Sequence, residues 1–407
     1  MAKFEREGIY KGLKVLDFTI ALAGVFNAWQ YADNGADVWK VEKYGSGDQA
    51  RLWGPFVDDF SVYYASFNRN KRSIEIDMRN PEGKALILEL VKHCDLVLEN
   101  FKAGTLEKLG LGYEEMAKVN PKVVYASLSG FGTSGPLWKL PCYDIIACAR
   151  GGLLATSGEA DGMPIKPGFS IGDNMTGINF HHATNMALYQ ARKTGKGCRL
   201  EIAMMDTCMQ AIDTAIVENS LTGSYQMRSG DHDRFFAPYG IYEARDGYVA
   251  IAVSKEEEWT RFCDAMGAPK WKEDPRFANN QLRLENLEAL VKEITALTRN
   301  MWRADFEKAM RAAHVPGVSV DTFEEAISSP QIHQTDTLVY VQQSNFPAVG
   351  RLPMINVPVH FSKTPGAVKQ CSPMLGEDTV DILRENGLSD ERIQALLDQK
   401  AVGVYQG

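Results

Sequence analysis

The sequence predicts an α/β protein in which a large domain with a mostly parallel sheet, built from both ends of the chain, carries a smaller α+β domain between its two parts. Three observations predict it. Strand-like and helix-like segments alternate over roughly the first half of the 407 residues, the texture changes beyond about residue 210, and strand-like pieces return from about residue 330. The expected division is 1–224 and 326–407 for the large domain and 225–325 for the small one.

Taken in order, residues 13–43, "LKVLDFTIALAGVFNAWQYADNGADVWKVEK", give an apolar β-branched run, a loop, a helix-length segment and a second run, which is a βαβ unit. "RSIEIDM" follows as a strand. "NPEGKALILELVKHC" is a helix opened by Asn80 with Pro81 at its first position, where the missing N–H costs nothing. "CDLVLENF" is the next strand, residues 104–118 a short helix, and "KVVYASLSGFG" a further buried strand. Strands separated by helices argue for parallel pairing with both faces covered. In the small domain, "YGIYEARDGYVAIAVS" forms two strands around Asp246-Gly247, a hairpin signal, and "KEEEWTRFCDAMG" and "QLRLENLEALVKEITALTRNMW" are helical. The returning part offers "TLVYVQQ" and "INVPVHF" as strands and a helix over 377–387.

Composition narrows the function. A formal net charge of -8 argues against a broad nucleic-acid surface, so an anionic ligand must be small and locally held. Seven cysteines without a C-x-x-C pair read as reduced, mostly buried thiols. The charged start "MAKFEREGIYKGLKVLDF" lacks the apolar core of a signal peptide, and no apolar run of membrane-spanning length follows, so a cytoplasmic protein without a membrane partner is expected.

The motifs eliminate more than they assign. The loop "TIALAGVFNA" has Gly24 alone where dinucleotide binding needs G-x-G-x-x-G, although Glu42 lies near the place of a ribose-binding acid. "LSGFGTSGP" is neither a P-loop nor a nucleophile elbow. His181 and His182 are adjacent on a helix and point apart, "DHD" at 231–233 has nothing nearby to complete a shell, and no metal is expected. The cluster "NRNKRS" concentrates Arg69, Lys71 and Arg72; alone it reads as a solvated loop, but with Lys40, Lys43, Lys102 and Lys108 it places positive charge at the carboxyl ends of parallel strands, where ligands of open sheets bind. In "PGFSIGDNMTG", Asp173 precedes a helical pattern. It reads either as a cap or first-turn acid or, given Gly168 and Gly172 that leave the backbone before it uncrowded and Gly177 that weakens the helix interior where propensity would choose Ala, as a group a ligand can approach.

These segments together resemble the class III CoA-transferases, the family of the formyl-CoA:oxalate and carnitine CoA-transferases, over essentially the whole chain. The resemblance is carried by "GLKVLDFT", "ADVWKVEKYGSGD", "FNRNKRSIEIDMRNPEGK", "DLVLENFKAGTLEKLGLGYE", "NPKVVYASLSGFGTSGP", "PGFSIGDNMTG", "KTGKGCRLEIAMMD" and "SPMLGEDT". It implies a Rossmann-like large domain, an interlocked homodimer, and acyl-CoA and a small carboxylic acid as substrates with no permanently bound cofactor. It also implies that Asp173 is a nucleophile passing through aspartyl anhydride and aspartyl-CoA thioester intermediates. Matching residue by residue, CoA contacts fall on Ala21 and Ala23, Lys43, Ile76, Asp77, Met78 and Arg79, Asn100, Phe101 and Lys102, and Lys108, while Leu22, Tyr143, Asp144 and Gly172 border the nucleophile. Leu22 stands where the formyl-CoA transferases have a glutamine that binds the acyl group, and the glycine-rich loop of those enzymes is missing between Arg228 and Tyr239, so a bulkier or less polar acid is expected. The α-methylacyl-CoA racemases of the same family place a histidine where this chain has Tyr143; racemisation and non-catalytic CoA binding are the alternatives.

Overall fold

In the computed structural model, which describes residues 6–223, 228–343, 346 and 348–406, the strands of the alternating region join one sheet. They are β1 (Lys14–Asp17), β2 (Asp37–Lys43), β3 (Arg72–Ile76), β4 (Leu96–Glu99), β5 (Val124–Ser129) and β6 (Cys198–Ala203). The sheet order is β3-β2-β1-β4-β5-β6, all parallel, with Val402–Gly403 added antiparallel outside β3. Because the chain winds outward from β1 to β3 and then returns to β4 on the other side of β1, the loops leaving β1 and β4 diverge. A crevice therefore opens at the carboxyl edge between them.

This sheet belongs to the larger of two compact units, made of the chain up to Leu153, Pro167–Asp213 and the chain from Pro330 onward. Helices cover both faces, as continuous apolar strands require. On one face Leu16, Trp39, Ile74 and Val97 pack with Leu86 and Leu90 of α3 (Pro81–Val91 in the series α1 Ala23–Asp33, α2 Val62–Asn68, α3) and with Ile382 and Leu396 from two C-terminal helices, Thr379–Glu385 and Asp390–Asp398. Beyond α3 come α4 (Thr105–Lys108), α5 (Tyr113–Val119), α6 (Asp144–Arg150), α7 (Ile171–Thr194) and α8 (Met204–Gln210). The long α7 lies against α1. A Cβ on Gly177 would stand 2.7 Å from Phe26 Cβ and 2.9 Å from the Ala23 carbonyl oxygen, so the glycine that weakens the helix interior is what allows this approach.

The smaller unit comprises Leu154–Lys166 and Thr214–Ser329. The expected boundary at residue 224/225 lies outside the described residues. Its hairpin, β7 (Tyr239–Ala244) and β8 (Gly247–Ala252), turns at Arg245-Asp246, one residue before the expected Asp246-Gly247, and gains β9 (Gly317–Ser319) as a third antiparallel strand. An aromatic core of Trp259, Phe262, Trp271 and Phe277 closes over it. Among the described residues no helix is long and apolar enough to cross a membrane.

Four further expectations need correction. The helix expected over 104–118 is two, α4 and α5, separated where Gly110 takes φ +74°. The segment 281–302 likewise divides at Asn286, between Asn280–Glu285 and Leu287–Thr298. "TLVYVQQ" supplies β10 (Leu338–Gln342), but its partner is β11 (Arg351–Ile355), not "INVPVHF", which forms no strand after Ile355. The two-stranded ribbon has free edges that accommodate Pro353. Finally, the basic cluster is not a solvated loop, because its charges are held by acids. Arg69 pairs with Asp33 at 2.8 Å, fully buried Lys71 with Asp17 at 2.9 Å, Arg72 with Glu385 at 2.6 Å, and Lys40 with Asp48 at 2.8 Å. Charges taken out of water at several kcal/mol each must be paired, and these partners lie on distant segments that no local pattern reveals.

Candidate active site

β1 ends on buried Asp17, whose carboxylate accepts the Thr19 N–H at 2.9 Å, the Thr19 hydroxyl at 2.5 Å and the Lys71 ammonium at 2.9 Å. The next residue is fixed from across the crevice. Ile20 donates its N–H to Asn100 Oδ1 and accepts from Asn100 Nδ2, both at 2.8 Å, so one side-chain amide pairs with one peptide group. Ala21 then adopts φ +65°, left-handed and strained by roughly 1 kcal/mol for a residue with a Cβ, and donates to Asp48 Oδ1 at 3.4 Å. Leu22 closes the loop as the residue preceding α1, with its carbonyl accepting the Phe26 N–H at 2.7 Å.

The opposite wall is the end of β4. Glu99 accepts the Phe101 N–H at 2.8 Å, and burial pushes its carboxyl up to about 8, so it holds a proton near neutrality. That bond sets the turn presenting Asn100, Phe101 and Lys102.

α7 begins at Ile171, which places Asp173 inside its first turn rather than ahead of it. The preceding Ser170 makes no side-chain cap bond. The N–H of Asp173 instead donates to Asp144 Oδ1 at 3.1 Å, so a carboxylate from the first residue of α6 serves the helix end. Asp173 is thus a first-turn acid, with Ser170 at the N-cap position. Gly172 makes this convergence possible: a Cβ there would meet Cys148 Sγ at 2.9 Å and Asp144 Oδ1 at 3.1 Å. Burial and then the charge of Asp173 push the Tyr63 phenol up to about 12 and the Cys142 thiol up to about 11, which keeps both protonated beside it.

Ala21, Leu22, Ala23, Asn100, Phe101, Lys102, Tyr143, Asp144 and Asp173 line one cavity of about 590 Å³ at the crevice, with Gly172 directly behind. Lys43, Ile76, Asp77, Met78, Arg79 and Lys108 do not line it. Lys43 and Ile76 are register partners at the carboxyl ends of β2 and β3, on the same sheet edge. The Ile76 side chain belongs to the hydrophobic core, Asp77 accepts the Arg79 N–H at 2.8 Å, and Lys108 ends α4. Sequence reasoning missed Gln49, Trp53, Tyr63, Trp138, Leu140 and Met204, all in the lining. The aromatic density of "LWGPFVDDFSVYYASF" was the available signal for two of them.

The profile of CoA-transferase family III matches residues 10–379. A succinyl-CoA:glutarate CoA-transferase of Mus musculus is 32% identical over 377 residues, covering 92% of this chain and 86% of the relative. A succinyl-CoA–D-citramalate CoA-transferase of Chloroflexus aurantiacus is 35% identical over 393 residues, covering 96% and 97%. The crystal structure of a CaiB/BaiF family protein from Brucella suis superposes with a TM-score of 0.84 at 31% identity, covering 94% of this chain and 100% of the other.

Proposed function

The chain belongs to CoA-transferase family III, an acyl-CoA:carboxylate CoA-transferase, and we propose that it works by covalent catalysis on Asp173. A carboxylate oxygen of Asp173 attacks the thioester carbon of the donor, the C–S bond breaks, and CoA leaves as thiolate from a mixed anhydride. The thiolate attacks the aspartyl carbonyl, releasing the donor acid and leaving an aspartyl-CoA thioester. The acceptor carboxylate expels the thiolate again to give a second anhydride. Return of the thiolate to the acceptor's acyl carbon yields the new acyl-CoA and restores Asp173. A difficult exchange is thereby divided among steps whose leaving group is a modest base.

The observation that carries this reading is the placement of Asp173 at the cavity wall with its peptide N–H engaged by Asp144. Asp144 then acts as a positioning residue, fixing the backbone from which the nucleophile projects, and an oxyanion donor must be sought elsewhere than the Asp173 N–H. Ala21–Ala23 and Asn100–Lys102 form the path for the pantetheine arm, and Lys43, Arg79 and Lys108 along the same sheet edge are assigned to the CoA phosphates. An interlocked homodimer is part of the proposal, for which exposed Ile178, Met186 and Tyr189 on α7 offer apolar surface. Asp173→Ala should abolish exchange between an acyl-CoA and its free acid, and hydroxylamine should inactivate the wild type only when acyl-CoA is present. Exchange of an α-proton with solvent in the absence of any acid would instead identify a racemase.

A further inference from the structure

Resting on the transferase reading of this cavity, we infer that the acid exchanged at Asp173 is a monocarboxylate with an apolar body of aromatic size, unlike the dicarboxylates named for the relatives above. Charge decides first. Among the described residues lining the cavity, Lys102 is the one cation, while Asp144 and Asp173 are two acids. Lys102 follows Asn100 and Phe101 on the β4 wall, where the CoA arm is placed. A second carboxylate entering the cavity would be desolvated beside two acids with no guanidinium or ammonium of its own, a cost of several kcal/mol.

The neighbouring cations cannot be recruited cheaply, because they already hold buried acids: Lys40 with Asp48 at 2.8 Å, Lys71 with Asp17 at 2.9 Å and Arg51 with Glu42 at 2.7 Å. Lys139 stands outside the lining, 4.8 Å above the ring of Trp138.

Shape and polarity decide next. Trp53, Tyr63, Trp138, Leu140, Tyr143 and Met204 wall the cavity. The Trp53 and Tyr63 rings meet edge to face at 5.4 Å, which fixes the orientation of both aromatic walls. Trp138, Leu140 and Tyr143 are 36%, 49% and 64% exposed, so a ligand that covers them gains apolar burial at about 25 cal/mol per Å². Leu22, 5% exposed and in the same cavity lining as Asp173, adds an aliphatic surface with no hydrogen-bonding group.

The test is isotope exchange of each acid with its own CoA thioester, which needs no knowledge of the natural donor. With 3-phenylpropionyl-CoA and labelled 3-phenylpropionate the rate should exceed that with glutaryl-CoA and labelled glutarate by roughly tenfold or more at matched subsaturating concentrations. Leu140→Arg, at a half-exposed position, should move that ratio toward glutarate by about tenfold by supplying the missing cation. Faster exchange of glutarate or succinate by the wild type overturns the acid class while leaving the transferase reading standing. An unchanged ratio in Leu140→Arg overturns the charge argument, and no exchange with any pair overturns the transferase reading together with this one.

Discussion

Asn100→Ala removes the clamp between the two loops of the crevice. The wild-type amide makes two hydrogen bonds of 2.8 Å to Ile20, each with a net value of about 1 kcal/mol, and their loss leaves a half-buried peptide group to be rehydrated. The same clamp holds Ala21 at φ +65° against about 1 kcal/mol of strain that relaxation would release. The two lost hydrogen bonds destabilise the closed loop by roughly 2 kcal/mol, the Ala21 strain being common to wild type and variant. If the wild-type loop is closed by about 1–2 kcal/mol, the competent fraction falls and KM for acyl-CoA rises between about two- and fivefold. Turnover should change less, because Asp173 is held by Asp144 on other elements. Asn100→Asp should be at least as damaging as Asn100→Ala: it keeps the acceptor for the Ile20 N–H but sets a carboxylate oxygen against the Ile20 carbonyl. Initial rates over a range of acyl-CoA concentrations, with hydrogen exchange at Ile20 and Ala21, measure both effects. Unchanged KM and unchanged protection in Asn100→Ala would refute the clamp.

Three further outcomes follow from the same geometry. Asp144→Ala should lower kcat roughly 10- to 100-fold with KM for acyl-CoA within about twofold, and Asp144→Asn, whose amide oxygen can still accept the Asp173 N–H, should recover most of it; steady-state kinetics of the pair checks this. Lys71→Ala should cost about 3–5 kcal/mol in urea denaturation, because it strands the buried Asp17 carboxylate. Glu99, raised in the folded state to about 8 from an ordinary 4.5, binds its proton more tightly folded than unfolded. Its contribution is full below about pH 4.5 and is lost as pH rises toward 8, so Glu99→Gln should flatten the fall in stability across that window.

What the sequence made legible follows the range of the interactions involved. β1 to β5 and α3 are written in local apolar runs and in the Asn80-Pro81 start, and they appear where expected. The sheet order is a long-range property, as is β9, three residues long and too short to carry a period. The charge cluster at 69–72 misled for the same reason: Asp33, Asp17 and Glu385 neutralise it from distant positions. At the site, the resemblance drew attention to Asp173, Asp144 and Asn100 and implied a role for Asp173, but not what Asn100 and Asp144 hold in place. That Asn100 grips a peptide group and that Asp144 serves the end of α7 depend on crossings of loops and helices that no spacing encodes. Gly177 was visible as an anomaly of helix propensity, and its reason, the approach of Phe26, is tertiary.

The most direct measurement is peptide mapping by mass spectrometry after the protein has been mixed with an acyl-CoA and quenched with hydroxylamine. A hydroxamate on the side chain of Asp173, absent without acyl-CoA, is the expected result. Turnover with Asp173 unmodified, or the hydroxamate on Asp144 instead, would contradict the account.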